Sequence, residues 1–101
     1  MKGPPLTASE LDKVRAVFRR HPEVASATLF GSRAKGTHTE RSDVDLALAG
    51  SVAPLRAETI AAELDELSLP YRFDVQPQES IDNPPLLEHI RRVGILIYPE
   101  S

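Results

Sequence analysis

The sequence predicts an α/β fold, a two-layer sandwich in which a mixed four-stranded sheet carries its helices on one face. Three observations point there. Apolar residues recur at every second position in Val44-Asp45-Leu46-Ala47-Leu48 and in Tyr71-Arg72-Phe73-Asp74-Val75, as half-buried strands require. They recur at every third or fourth position between Leu11 and Phe18, between Ala57 and Leu67 and between Leu86 and Val93, as amphipathic helices require. The two periods are interleaved along the chain, and prolines and glycines fall at their boundaries.

Taken in order, the Pro-rich residues 1–7 read as a flexible lead-in, and residues 8–101 as one domain. Thr7-Ala8-Ser9-Glu10 matches a capping box, so a helix starts there, with Leu11, Val14, Val17 and Phe18 on its apolar stripe. His21-Pro22 ends it, and His21 reads as a helix-end residue. Val24 to Phe30 reads as a strand closed by Gly31-Ser32. The next stretch, through Ser42, forms a loop or a short helical turn. Asp43 to Ala49 is a second strand with Val44, Leu46 and Leu48 on one face and Asp43, Asp45 and Ala47 on the other. Pro54 opens a second long helix, whose buried stripe is Ala57, Ile60, Ala61, Leu64 and Leu67 and whose end is Pro70. Tyr71 to Gln76 is the third strand, and residues 77–83 a polar loop. Asn83-Pro84-Pro85 opens a short helix burying Leu86, Leu87, Ile90 and Val93, with His89 on its exposed face. Gly94 breaks it before a last strand, Ile95 to Tyr98.

Composition narrows the functional classes. The 101 residues carry 12 Lys and Arg against 15 Asp and Glu, a net charge of −3, which argues against broad adhesion to nucleic acid. The absence of cysteine excludes disulfides and thiolate metal sites. No apolar run approaches the ~20 residues of a membrane span, and the first residues lack the apolar core of a signal peptide, so a cytoplasmic location is expected. One domain of this size leaves little room for a separate substrate-binding domain, so a large substrate would meet it from outside.

The chemistry-bearing feature is Asp43-Val44-Asp45. Aspartate is depleted in strands, and two carboxylates on one face, roughly 7 Å apart, repel unless a cation lies between them. Asp74 lies on the polar face of another strand. If the two strands are neighbours, about 4.8 Å apart, three carboxylates can converge on one or two Mg²⁺ ions, with Mn²⁺ an alternative for such all-oxygen ligands. Upstream, Gly31 lets the backbone approach a ligand closely, and the Ser32 hydroxyl suits a phosphate oxygen. Arg33 and Lys35 are further candidate phosphate contacts, Arg41 a weaker one. A phosphate-holding turn beside metal-holding aspartates is the apparatus of phosphoryl or nucleotidyl transfer.

Gly31-Ser32, ten intervening residues and Asp43-Val44-Asp45 resemble the G-S-x10-D-x-D signature of the polymerase-beta-like nucleotidyltransferases, and the run GSRAKGTHTERSDVDLAL is similar to their minimal (MNT) branch. Four fixed residues at this spacing arise by chance in about one such chain in a thousand. The resemblance covers nearly the whole chain, because the family core is this same succession of elements. It implies transfer of AMP from ATP to a hydroxyl, with pyrophosphate leaving. Gly31 and Ser32 would hold the β- and γ-phosphates, Asp43 and Asp45 would bind both metals, and Asp74 would ligate the metal that activates the acceptor. Domains of this branch resemble antitoxins paired with HEPN-family toxins, some of which they AMPylate on tyrosine. The implied partners are therefore a nucleoside triphosphate and a HEPN toxin, with no membrane and no stable nucleic-acid binding. Two alternatives stay open: silencing of a toxin by occlusion, and transfer to a small-molecule acceptor.

Overall fold

The computed structural model describes residues 6–36 and 43–99. Its elements are α1 (Ala8–Arg19), β1 (Val24–Phe30), a one-turn α2 (Ser32–Lys35), β2 (Val44–Gly50), α3 (Pro54–Asp65), β3 (Phe73–Pro77), a 3-10 turn (Gln78–Ser80), α4 (Pro84–Val93) and β4 (Ile95–Tyr98). The strands form one mixed sheet in the order β3-β2-β1-β4. β2 and β3 run parallel because α3 carries the chain back between them, whereas β1 pairs antiparallel with β2 and with β4.

Strand alternation divides the side chains. Leu29, Val44, Leu46, Leu48 and Phe73 enter the main core, where they meet Val14, Val17 and Phe18 of α1 and Ala57, Ile60 and Leu64 of α3. The two long helices also contact one another on that face. On the second face Phe30 and Ala47 join Ile81 and Ile90 in a smaller cluster, with Leu86 packed against it. Helices were expected on one face of the sheet alone. On this second face the β1 end and the middle of β2 are apolar, and α4 covers them. α4 is buried less deeply than its periodicity suggests: Ile90 is buried, Leu86 and Val93 are half-buried, and Leu87 is 37% exposed.

The start of α1 is tied down further than the Pro-rich sequence suggests. Thr7 and Glu10 form the full capping box, the Glu10 amide donating to Thr7 Oγ1 at 3.1 Å and the Thr7 amide to Glu10 Oε1 at 2.9 Å. Leu6, expected to be loose, is 2% exposed and part of the main core. The expectation for residues 1–5 lies outside the described residues.

The other end of α1 is held by charge. His21 is buried, its Nε2 lying 3.1 Å from both carboxylate oxygens of Glu63 on α3. Glu63 also pairs with Arg20, and Glu23, 3.5 Å from His21 Nδ1, pairs with Arg56. His21 therefore links two helices rather than merely ending one.

Candidate active site

The register of the sheet sets the site. Phe30 stands opposite Asp45 in the antiparallel pair, and Asp45 opposite Asp74 in the parallel pair. These three residues thus form a row across β1, β2 and β3. Their strand neighbours Leu29, Val44, Leu46 and Phe73 belong to the main core, so by alternation the two carboxylates project from the second face. Asp43, just before β2, is exposed and shares that parity.

The turn that follows Phe30 lies directly against the carboxylate row. Gly31, with φ 79° and ψ −158°, caps α2 in a conformation that side chains rarely adopt. A β-carbon built on Gly31 would collide with Oδ2 of Asp45, so the backbone and the carboxylate share the space a side chain would fill. Ser32 begins α2 immediately after it.

Electrostatics single out Asp45. Burial pushes its carboxyl up to about 6, and the neighbouring charges of Asp74 and then Asp43 add to the shift. Asp43 and Asp74 are therefore both within electrostatic reach of Asp45, and a divalent cation is one way to relieve the repulsion there. The donor set, all carboxylate oxygen, suits Mg²⁺ or Mn²⁺. Among the described residues, no group of three or more His, Cys, Asp or Glu is already gathered in a geometry that could hold a metal ion.

Arg33 departs from the expected phosphate contact. Its side chain is buried, with the guanidinium 4.4 Å over the ring of Tyr71. The Tyr71 hydroxyl in turn donates to Glu10, 2.9 Å from each carboxylate oxygen. Burial and this hydrogen bond raise the Tyr71 hydroxyl's pKa, with the Glu10 charge adding to the shift. Although burial alone would raise the Glu10 carboxyl, hydrogen bonds from Thr7 and Tyr71 and the Arg33 charge hold it below the ordinary range. Arg33 thus joins the turn after β1 to α1 and to the segment leading into β3. Lys35, at the end of α2, is exposed. Arg41 lies outside the described residues.

Sequence reading missed His89. Its ring packs edge-on against Phe30, centroids 6.3 Å apart, and its Nε2 accepts the Gly31 amide at 3.0 Å. The signal was present: Leu86, His89, Ile90 and Val93 fall at helical spacings i, i+3, i+4 and i+7, which puts the histidine on the covered stripe.

Comparison with known proteins places the fold. The sequence model of the family described as "Polymerase beta, Nucleotidyltransferase" matches residues 12–101. Among curated proteins no sequence matches. In three dimensions the chain is similar to one from a toxin-antitoxin complex crystallised with AMP-PNP, with TM-score 0.75 and 21% identity over 90% of this chain and 74% of the other. It is also similar to a chain from a tri-AMPylated Shewanella oneidensis HEPN toxin in complex with its MNT antitoxin, with TM-score 0.69, 18% identity and coverage of 91% and 71%. A chain from an MntA-HepT toxin-antitoxin crystal structure matches with TM-score 0.70 and 18% identity over 93% and 74%. At these identities the likeness establishes a shared fold.

Proposed function

This chain belongs to the polymerase beta nucleotidyltransferase family, and from that premise we propose that it moves AMP from ATP to a tyrosine hydroxyl of a HEPN-type toxin, acting as that toxin's antitoxin. The observation that carries the reading is the row that brings Asp45 and Asp74 into register beside the Gly31-Ser32 turn. Two of the similar folds support the choice of nucleotide and partner: one was crystallised with AMP-PNP, and the other accompanies an AMPylated HEPN toxin.

Each residue then has a physical task. Gly31 lets the turn lie flat against the carboxylates, and the Ser32 hydroxyl offers a donor to the terminal phosphates. Asp43, Asp45 and Asp74 would hold Mg²⁺ or Mn²⁺, which when bound neutralise triphosphate charge and favour departure of pyrophosphate. Asp74, exposed at the edge strand β3, stands where an acceptor can approach from outside. It would orient the hydroxyl and take its proton as oxygen bonds to the α-phosphorus and the bond to the β-phosphate oxygen breaks. The partner would supply the acceptor and much of its own binding surface. Among the described residues no helix is long and apolar enough to cross a membrane.

The test is Mg²⁺-dependent transfer of labelled AMP from ATP to a co-purified HEPN protein. Asp43→Asn and Asp45→Asn should each lower the rate by at least about 100-fold, the scale on which a misplaced reacting group slows catalysis. Asp74→Asn should reduce turnover more than ATP binding. Full activity in both Asp43→Asn and Asp45→Asn overturns the metal assignment. If instead these variants neutralise the toxin as well as the parent protein does, the antitoxin acts by occlusion.

A further inference from the structure

We propose that His89 is a positioning residue for the phosphate turn, holding Gly31 in place through the Gly31 N–H to His89 Nε2 hydrogen bond. The inference rests on the proposed function, because it gives the histidine a purpose only if the turn holds phosphates. Its geometric basis is separate. The ladder between β1 and β2 ends at Phe30 and Asp45, so the Gly31 amide lies one residue past the last paired position. His89 supplies the acceptor at 3.0 Å from an element 58 residues further along the chain. An amide can only donate, so Nε2 must carry a lone pair and the imidazole's proton must sit on Nδ1.

The ring is itself well fixed. It is half-buried and packed edge-on against Phe30, while the next residue, Ile90, is buried in the cluster that seats α4 on the sheet. At its start α4 is set by Asn83, whose side chain accepts the Leu86 amide at 3.2 Å. The hydrogen bond therefore transmits the position of a packed helix to the glycine whose missing side chain leaves room for the Asp45 carboxylate. It also alters what Gly31 is expected to do. With its N–H committed to His89, Gly31 serves through its conformation and its missing side chain, and the donors for phosphate come from Ser32 onward.

The experiment compares the parent protein with His89→Ala and His89→Gln, the glutamine retaining a side-chain acceptor. AMP transfer is measured well below the unfolding midpoint, together with the affinity for AMP-PNP and Mg²⁺ by calorimetry. In His89→Ala, kcat/KM for ATP should fall about 10- to 100-fold, as expected when a reacting group is displaced by about an ångström. His89→Gln should recover most of the loss. A purely structural role would lower the unfolding midpoint of both variants without this rescue. On the unsubstituted protein, nitrogen-15 NMR should detect scalar coupling across the hydrogen bond between the Gly31 amide and His89 Nε2. Lack of that coupling, or parental kcat and KM in His89→Ala, overturns the proposal. If the parent transfers no AMP while the coupling is present, the functional reading has failed and the contact stands.

Discussion

At the residue scale, Asp45 carries the clearest physical signature, a carboxyl pushed up to about 6 by burial and by Asp74 and Asp43. An unfolded aspartate titrates near 4, so between about pH 4 and 6 the folded chain holds this proton more tightly than the unfolded one. The stability linked to that proton is fully present below about pH 4 and is lost as pH rises through about 6. At neutral pH without metal, the ionised group therefore burdens the fold. Solvent screening of this partly exposed side chain keeps the burden on the order of 1 kcal/mol. Asp45→Asn should raise the unfolding midpoint at pH 7.5 by about 4 to 8 °C, and by much less at pH 4. Millimolar Mg²⁺ should stabilise the parent protein and leave the variant unchanged. A gain independent of pH would show that the repulsion is unimportant, and equal Mg²⁺ stabilisation of both proteins would remove Asp45 from the ligand set. The sequence made these carboxylates legible because two aspartates at i and i+2 in a strand violate strand preference and call for a reason. It could not reveal that Arg33 turns inward, since stacking on Tyr71 depends on two segments that only the folded chain brings together.

Among the elements, α1 shows how local signals are read well and remote ones poorly. Its capping box lies within four residues and was readable directly, whereas the burial of Leu6 was hidden by the prolines before it. Leu6 immediately precedes the cap, Leu11 is the fourth helical residue, and both line one small apolar cavity with Leu29 and Ile97, the arrangement of a hydrophobic staple. Thr7→Ala should cost about 1 kcal/mol through loss of the cap. Leu6→Ala should cost more, about 2–4 kcal/mol, because it empties a fully buried site. Urea unfolding of the two variants checks the order. A Leu6→Ala cost below that of Thr7→Ala would mean that the residue before the helix contributes little to the core. The same contrast explains α4. Its boundaries follow from Asn83 and Gly94, but its shallow seating reflects the small apolar area available on the second face, which depends on strand register.

For the whole molecule, the division between a large core and a small one separates stability from function. α1, α3 and the inner sheet face bury most of the large apolar side chains, while α4 rests on Phe30, Ala47 and Ile81 chiefly through Ile90. The candidate site lies on that lighter side, where an acceptor can reach the carboxylates and where opening of one helix need not unfold the rest. Elements with few buried apolar contacts open at free energies below that of global unfolding. Native-state hydrogen exchange should therefore show the α4 amides exchanging at lower free energy than those of β1 and β2. Ile60→Ala, at a fully buried position in the main core, should cost about 2–5 kcal/mol and lower protection throughout. Ile90→Ala should lower protection mainly in α4 and, by loosening His89, slow AMP transfer more than its loss of stability would suggest. Exchange of α4 only through global unfolding would show that both faces form one cooperative unit, and the site would then inherit its rigidity from the whole fold rather than from the seating of this helix.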